Sequence, residues 1–414
     1  MKKQSYKLIS GIDIGSSAVR LAVGHLYTRE DSGEVELQIL GAVESPSAGV
    51  RNGNINSIDD VVSSVSACLE VAERTVGAPI SSAFIAVSGQ RIISQPSRAY
   101  VAVSKGDNEI TREDVLRVID NSRSIATPLN YEVLHVIPKS FSIDGQSDIK
   151  DPVGMTGIRL EVDSQIILGP TPQLRNLKQA VLRTGIEIDG LVLNVIAAAD
   201  AVLTDQQKEI GVVVVNIGVA TTSLVVYESG EIIHTANLGA GSGHVTNDLA
   251  LGLRTSVDVA EQVKIEYGDC SAGTVSRRDE IDLQTLGAPN QEMVKRQLIN
   301  EIVEARMEEI MQMVDSDLKS IDRSGKLPAG IVFTGGGAKI PGLIELARKK
   351  LRLPAMLGYP LNMSSVTDKI NDPSFSTAVG LVRWGSIEDV EGMKGPSGPN
   401  VFSKIRSMFK TLIP

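Results

Sequence analysis

The feature that most constrains this chain is a pair of similar segments separated by about half its length. Residues 11–24 read GIDIGSSAVRLAVG and residues 212–227 read VVVVNIGVATTSLVVY, so that Asp13 aligns with Asn216 and Gly15 with Gly218. Each segment predicts an apolar strand, a short turn and a second strand. A turn glycine lets backbone N–H groups approach an anion, and neighbouring hydroxyls add donors. Two such hairpins predict two similar domains that hold a phosphate tail between them.

A third segment completes this pattern. Residues 331–343 read IVFTGGGAKIPGL, which predicts a buried strand, a triple-glycine turn and the start of a helix. Taken alone, such a segment is more often a tight strand-to-helix turn than a ligand site. Together with the two hairpins it favours a nucleotide packed against bare glycine backbone at the head of a helix.

Composition excludes several classes of protein. The chain has 414 residues, 42% of them hydrophobic and 22% charged, which is ordinary for a globular protein with more than one domain. A net charge of -9 argues against a nucleic-acid partner. The two cysteines and four histidines show no metal-like spacing, and the N-terminus lacks the apolar stretch of a signal peptide. We expect a reducing compartment and no disulfide framework.

Between the two repeats the pattern of predicted secondary structure changes. Residues 90–160 predict a small inserted α+β subdomain, whose helix is opened by a capping-box pattern from Thr111 to Asp114. Further along, residues 290–321 predict one long amphipathic helix, and residues 377–384 predict the last core helix. The apolar side of the long helix is expected to contain Val294, Leu298, Ile302, Ile310, Met313, Val314 and Leu318.

The C-terminal end has a linker and an amphipathic tail. Residues 386–399 are polar and rich in glycine and proline, which predicts a flexible linker. As a helix, residues 400–414 gather their apolar side chains within an arc of about 140°; these are Val401, Phe402, Ile405, Met408, Phe409, Leu412 and Ile413. The basic residues at the flanks and back are Lys404, Arg406 and Lys410. The helix docks either on the protein's own body or on a membrane, and the tether and positive charge favour the membrane.

These residues resemble the FtsA family of bacterial actin-related proteins over nearly the whole chain. Besides the two hairpins and the glycine turn, the resemblance rests on VLHVIP at 133–138, DPVGMTGIR at 151–159 and STAVGL at 376–381. It implies an α/β, actin-like (actin/hexokinase superfamily) two-lobed fold with duplicated core domains and an inserted subdomain, termed 1C. The implied divisions are 1–89 and 161–194 for 1A, 90–160 for 1C, 195–240 and 329–370 for 2A, 241–328 for 2B, 371–385 for a helix returning to 1A, 386–399 for the linker and 400–414 for the membrane-targeting helix.

The resemblance also implies a site for ATP and Mg²⁺. The implied nucleotide-binding residues are Asp13, Gly15, Ser16, Ser17, Asn216, Gly218, Thr221, Thr222, Glu261, Lys264, Gly335, Gly336 and Gly337, with Asp13 also orienting the metal. Glu261 and Lys264 resemble a pair that clamps adenosine, although a surface ion pair at i,i+3 fits their spacing equally well.

Departures from the family pattern concern the chemistry. The family usually has acids where this chain has Asn216 and Ser223, a glycine at Val219 and often a lysine at Ala18. An asparagine cannot supply the negative charge that holds a metal-bound water near the terminal phosphate. We therefore assign no catalytic residue and expect ATP to be a structural ligand that is hydrolysed very slowly, if at all.

The resemblance implies a cell division adaptor. Such a protein binds ATP, forms filaments with itself, and recruits FtsZ and other division proteins to the cytoplasmic side of an anionic membrane at the septum. Lys295, Arg296 and Arg306 offer cations to the FtsZ C-terminal peptide. One alternative is a PilM-like scaffold of pilus assembly, against which the terminal helix argues. The other is a sugar kinase of the same superfamily, for which the sequence offers no clear catalytic carboxylate.

Overall fold

A computed structural model describes residues 7–29, 35–51, 53–104, 106–124, 127–274, 276, 278–361 and 363–394, with the backbone alone at 274 and 388–394. The strands are β1 (Leu8–Ile14), β2 (Ala18–Thr28), β3 (Val35–Pro46), β4 (Val50–Arg51), β5 (Asn54–Ile55), β6 (Ser82–Val87), β7 (Ile93–Ala102), β8 (Tyr131–Ile143), β9 (Gln146–Ile149), β10 (Arg159–Pro170), β11 (Glu187–Leu193), β12 (Val212–Ile217), β13 (Thr222–Glu228), β14 (Glu231–Leu238), β15 (Glu280–Asp282), β16 (Met293–Lys295), β17 (Ile331–Thr334), β18 (Ala355–Leu357) and β19 (Ser364–Ser365). The helices are α1 (Ile58–Val76), α2 (Arg112–Ser122), α3 (Thr171–Leu182), α4 (Asn194–Val202), α5 (Asp205–Ile210), α6 (Ser242–Gly252), α7 (Val257–Tyr267), α8 (Arg296–Ser320), α9 (Leu343–Leu351) and α10 (Ser376–Lys394).

Two sheets of matching topology form the body of the protein. In the first, β1 pairs antiparallel with β2, which pairs with β3, and on its other side parallel β6 and β11 follow. In the second, β12 pairs antiparallel with β13, which pairs with β14, and parallel β17 and β18 follow. The predicted repeats are the hairpins β1–β2 and β12–β13, at the same place in each sheet. The duplicated α/β core expected from the sequence is confirmed.

The inserted subdomain is a four-stranded sheet, ordered β7-β10-β8-β9, that packs α2 on one face. The predicted capping box is present, because the Thr111 hydroxyl accepts from the Asp114 backbone N–H while the Asp114 carboxylate accepts from the Thr111 backbone N–H. Strand β10 pairs with β7 and β8 along its whole length. The boundary predicted at 160 therefore falls inside a strand, because the sequence pattern predicts a strand only over 158–162.

Two other boundaries differ from the sequence prediction. Strand β19 pairs with β3, so the chain has already returned to the first sheet at 364, before the predicted end of 2A at 370. Helix α10 continues to Lys394, whereas the linker was predicted from 386. The segment 386–394 contains no proline, and the first proline after α10 begins is Pro396, so nothing in it forces the helix to stop at 385. The rest of the predicted linker and the tail at 400–414 lie outside the described residues.

Helix α8 corrects the predicted long helix. Residues 293–295 form β16, which pairs with β15, and the helix begins only at Arg296. The predicted apolar side is right in part: Ile310, Val314 and Leu318 are fully buried, whereas Leu298 is 40% and Met313 37% exposed. Its buried residues are Ile299, Asn300, Val303, Met307, Ile310, Met311, Val314 and Leu318. Leu298 and Met313 were misplaced because apolar residues occupy both sides of this helix, so periodicity alone did not fully identify the core face.

Helices α4 and α10 cross at close range in the middle of the molecule. A Cβ at Gly380 would lie 1.8 Å from the Ala197 carbonyl oxygen, so only glycine permits this crossing. Helix α10 also packs on the first sheet, where a Cβ at Gly11 would lie 2.5 Å from the Ala378 carbonyl oxygen. These contacts place the N-terminal turns of α4 and α10 beside both hairpin turns.

Candidate functional site

The two hairpin turns face each other across a cleft open to solvent. Its described lining also includes the glycine turn after β17 and residues from the starts of α4 and α10. The lining residues are Asp13, Ile14, Gly15, Ser16, Ser17, Arg20, Val50, Gly53, Ser88, Asn194, Asn216, Gly218, Val219, Ala220, Thr221, Gly335, Gly336, Ser374 and Thr377.

The two hairpins have the same turn geometry. The Gly15 N–H donates to the Ala18 carbonyl at 3.0 Å, and the Gly218 N–H donates to the Thr221 carbonyl at 2.9 Å. A Cβ at Gly218 would lie 3.1 Å from the Thr221 carbonyl oxygen, which is tighter than most side chains accept. The turns therefore present bare backbone and hydroxyl groups to the cleft from both sides, as a polyphosphate requires.

Asp13 supplies the only carboxylate among the described lining residues. Removal from water raises the pKa of Asp13 to about 6, and the nearby Arg20 guanidinium offsets part of that rise. A cation bound at this carboxylate would favour its charged form again. With the Ser16 and Ser17 hydroxyls beside it, Asp13 gives a hard-oxygen environment that suits Mg²⁺, which takes one or two carboxylates and fills its shell with phosphate oxygens and water.

The second hairpin is neutral at the corresponding position. The Asn216 amide nitrogen donates to the Thr377 hydroxyl at 3.2 Å, and a Cβ at Gly335 would lie 2.2 Å from the Asn216 amide oxygen. Ser223, opposite Asn216 on β13, donates to the Asn237 amide oxygen at 2.7 Å. Hydrogen bonds thus occupy both positions where the family usually has acids, one to the first turn of α10 and one within the second sheet.

The glycine turn offers one open backbone position. Gly335 has φ 85°, and its N–H donates to the Pro373 carbonyl at 3.1 Å. A Cβ at Gly336 would meet nothing within 4 Å, whereas one at Gly337 would collide with Ile217. Gly336 can therefore approach a ligand, while Gly337 serves packing.

Glu261 and Lys264 form the ion pair at i,i+3 that was the alternative, but only the Glu261 side chain is exposed, at 41%. Lys264 is 8% exposed, and its Nζ lies 2.7 Å from Glu261 Oε2 and 2.9 Å from Thr246 Oγ1. Nζ also lies 3.5 Å from the carbonyl oxygen of Ser242, in the first turn of α6. The pair stands behind the cleft wall and does not line the cleft.

The structure thus divides the predicted nucleotide-binding residues. Those brought together in the cleft are Asp13, Gly15, Ser16, Ser17, Asn216, Gly218, Thr221, Gly335 and Gly336. Thr222 is fully buried, because neighbouring strand residues point to opposite faces and Thr221 takes the cleft side. Lining residues that the sequence prediction missed include Arg20, Asn194, Ser374 and Thr377.

Asn194 could have been identified as a candidate site residue from the sequence. It interrupts an apolar run at a strand-to-helix junction, where a polar side chain needs a partner. In the structure Asn194 is 8% exposed and its Oδ1 has no hydrogen-bond partner. Thr377 gave no such signal, because it lies far along the chain from both hairpins.

The predicted peptide-binding cations lie on the second lobe. Lys295 is exposed, and Met293 and Leu298 beside it are 52% and 40% exposed. Arg296 lies 3.3 Å from Asp279. Arg306 is engaged in a two-pronged contact with Asp248, at 2.6 and 3.0 Å, which ties α8 to α6. Lys295 is therefore the most available of the three cations.

Comparison with solved structures identifies the fold. The PilM–PilN type IV pilus biogenesis complex matches with a TM-score of 0.65 at 16% identity, covering 91% of this chain and 98% of that chain. MreB5 of Spiroplasma citri bound to ADP matches with a TM-score of 0.55 at 13% identity, covering 94% and 99%. The duplicated sheets and the cleft between them define an actin-like protein.

Sequence comparison is more specific. A profile described as "Cell division protein FtsA" matches residues 213–380, and one described as "SHS2 domain inserted in FTSA" matches residues 89–168. The cell division protein FtsA of Pseudomonas aeruginosa is 34% identical over 94% of this chain and 92% of its own length. That of Bacillus subtilis is 35% identical over 91% and 83%. The chain belongs to the FtsA family of cell division proteins.

Two absences among the described residues concern metals and membranes. No group of three or more His, Cys, Asp or Glu side chains in that part of the chain is arranged to hold a metal ion. Across the same residues, no helix combines the length and apolar character that a bilayer crossing requires.

Proposed function

We propose that this protein is an ATP-binding adaptor that self-associates and anchors the FtsZ ring to the inner face of the membrane at the division site. The observation that carries the proposal is the cleft, in which two hairpins of the same geometry face each other, the first carrying Asp13, with Gly336 in the same lining. Membership of the FtsA family supports a role in cell division. MreB5, which has the same fold, was solved with both ADP and AMPPNP, and this supports a nucleotide as the ligand.

Each part of the cleft suits one part of a nucleotide. Backbone N–H groups and hydroxyls of the two turns, among them Ser16 and Thr221, would hold the phosphates. Gly336 would lie against the adenosine, and Lys264 would support that wall from behind through Thr246. Mg²⁺, held by Asp13 and the phosphates, would supply charge neutralisation. Because both hairpins would contact one ligand, nucleotide binding would favour the closed arrangement of the lobes.

Hydrolysis is expected to be slow. It needs an oriented water and compensation of charge at the terminal phosphate. Asn216 is neutral and hydrogen-bonded to Thr377, and the described cleft offers no second carboxylate. The lack of a second acid also disfavours the sugar-kinase alternative. The pilus-scaffold alternative has only a likeness of fold at 16% identity.

Binding to membrane and partners would involve other surfaces. The basic amphipathic tail at 400–414 would insert into an anionic membrane. Lys295, with exposed Met293 and Leu298, would receive the acidic and apolar FtsZ peptide on the second lobe. The inserted subdomain would make filament or partner contacts, because it stands apart from the nucleotide-binding turns.

The test combines binding and recruitment. The full chain is titrated with a fluorescent ATP analogue, and then pelleted with vesicles containing phosphatidylglycerol, with and without FtsZ. We expect saturable ATP binding, and FtsZ in the pellet only when both this protein and vesicles are present. Absence of ATP binding, or FtsZ remaining in the supernatant, would contradict the proposal.

A further inference from the structure

A row of three charged residues crosses the first hairpin at the cleft. Asp13 on β1 stands directly opposite Arg20 on β2, and Arg20 stands directly opposite Glu44 on β3. Residues directly opposite each other on neighbouring strands point to the same face of the sheet. Arg20 therefore interacts with two carboxylates: with Asp13, which lines the cleft, through its charge, and with Glu44, which is not among the lining residues, through a direct contact.

Arg20 is the only basic residue among the described residues that line the cleft. Its side chain is 18% exposed, and its Nε lies 3.2 Å from Glu44 Oε2. That contact does not have hydrogen-bond geometry, so the buried Nε has no hydrogen-bond partner. The Arg20 Cζ also lies 5.8 Å from the centre of the Phe375 ring. This cation is thus largely buried but incompletely satisfied.

The rest of the described cleft lining leaves Arg20 as its one cation for an anionic ligand. The turns offer backbone dipoles and hydroxyls, and the second hairpin carries neutral Asn216, so a polyphosphate would meet no other full positive charge from the described lining. A planar guanidinium binds phosphate oxygens through two parallel N–H bonds, which are about twice as strong as neutral hydrogen bonds. Glu44 is 50% exposed, so it can return to water at little cost when Arg20 leaves it.

We infer that Arg20 is the residue that binds the phosphate chain of the nucleotide, and that Glu44 is an internal competitor which holds Arg20 when the cleft is empty. This inference rests on the proposed nucleotide function. It adds Arg20 as a phosphate-binding side chain and Glu44 as the anion that competes for it. Neither residue belongs to the two turns. Nucleotide binding then replaces the Arg20–Glu44 contact with an Arg20–phosphate contact.

The experiment compares ligands with and without phosphates. Affinities of ATP, ADP and adenosine are measured by titration calorimetry for the natural protein and for Arg20→Gln, Arg20→Lys and Glu44→Gln. The titrations are run with excess Mg²⁺, which tests the proposed function, and are repeated in EDTA, which removes effects that act through a metal ion at Asp13. Arg98→Gln is the control, because Arg98 is also paired with carboxylates but lies in the inserted sheet.

We expect Arg20→Gln to weaken ATP and ADP binding at least about tenfold and to change adenosine binding less than about twofold. Arg20→Lys should weaken ATP and ADP binding by an intermediate factor, because lysine keeps the positive charge but cannot make the two parallel hydrogen bonds of a guanidinium. Glu44→Gln should tighten ATP binding by about two- to fivefold. If Arg20→Gln does not fold, the last two variants decide, since both keep the cation.

The outcomes separate this inference from the proposed function. If the natural protein binds no ATP, the proposed function fails. If it binds ATP and the Arg20 variants bind equally well, only the role of Arg20 is overturned. Weaker ATP binding by Glu44→Gln would overturn the role of Glu44 as competitor.

Discussion

The side-chain amide of Asn216 donates a hydrogen bond to the hydroxyl of Thr377 across 3.2 Å, joining the second hairpin to the first turn of α10. This contact holds a neutral group where an acid would organise the metal and water. We predict that Asn216→Asp raises the single-turnover rate of ATP hydrolysis with Mg²⁺ at least about tenfold, equivalent to about 1.4 kcal/mol of barrier. Thr377→Val removes the same contact without adding charge, and it should leave the rate unchanged. A slower Asn216→Asp protein, or natural turnover within seconds, would contradict this explanation.

Lys264 is expected to act on the adenosine side of the nucleotide. Its Nζ connects Glu261 and Thr246 behind the cleft wall. Lys264→Met keeps the apolar stem but removes the charge, so it should weaken ATP, ADP and adenosine alike, by about fivefold. Glu266→Gln, at an exposed position on the same helix, is the control. A loss confined to ATP and ADP would place Lys264 with the phosphates instead.

The peptide surface can be tested without breaking internal contacts. Reversing Arg306 would also remove its bidentate pair with Asp248, so exposed Lys295 is the better target. Lys295→Glu should weaken binding of the FtsZ C-terminal peptide about fivefold at low salt and less at high salt. Lys349→Glu on α9 makes the same charge change at another exposed position. Equal effects of the two variants would indicate net charge rather than a docking surface.

Asp114 predicts how the stability of the inserted subdomain depends on pH. Burial alone would raise the pKa of Asp114, but hydrogen bonds from Thr111 and Ser104 outweigh it and hold the pKa well below the usual 3.8. A depressed folded-state pKa stabilises the fold above pH 3.8, and this contribution declines as the pH falls further. Asp114→Asn should therefore cost about 1–3 kcal/mol at pH 7 and less below pH 3.

Amide hydrogen exchange of α2 in the full chain measures this local stability. Asp120→Asn, at the exposed end of the same helix, is the control and should have little effect. The role of Asp114 would be wrong if its substitution cost the same free energy at pH 3 as at pH 7.

The tail is expected to bind anionic membranes through one face. Phe409→Asp places a charge in the middle of the apolar arc and should abolish co-sedimentation with phosphatidylglycerol vesicles. Ser407→Asp adds the same charge on the opposite side of the helix, about 160° away. It should reduce binding only by the electrostatic share, about 1 kcal/mol per unit charge. Equal loss in both variants would show that charge, rather than the apolar face, controls binding.

Local patterns were sufficient to predict the hairpins and the inserted subdomain. Each hairpin is encoded within a short stretch of sequence, so its strands, turn and cleft-facing glycine could be identified directly. Strand alternation would also have identified Arg20, which lies on the same face of β2 as Ala18, where the family often has a lysine. The same rule would have excluded Thr222 from the predicted nucleotide-binding residues, because Thr221, its neighbour in the chain, already faces the cleft.

Contacts between distant segments could not be predicted in this way. Thr377 reaches Asn216 only because α10 crosses α4 at Gly380, and no local pattern encodes that crossing. The true core face of α8 likewise depends on which helices pack against it. Burial of Lys264 also required the fold, since its i,i+3 spacing from Glu261 fits a surface pair equally well.

Helix α10 has two attachments that differ in kind. Its first turn is tied to the second lobe through Asn216 and Thr334, whereas its body is packed into the first lobe, where Gly385 lies against Phe84. Helix α10 has 19 residues and is about 28 Å long, so its end at Lys394 lies about that far from its first turn beside the cleft, on a helix packed against the first lobe. If the tail binds the membrane as proposed, the first lobe is held relative to the lipid plane, and any rotation between the lobes would move the proposed peptide-binding surface relative to that plane.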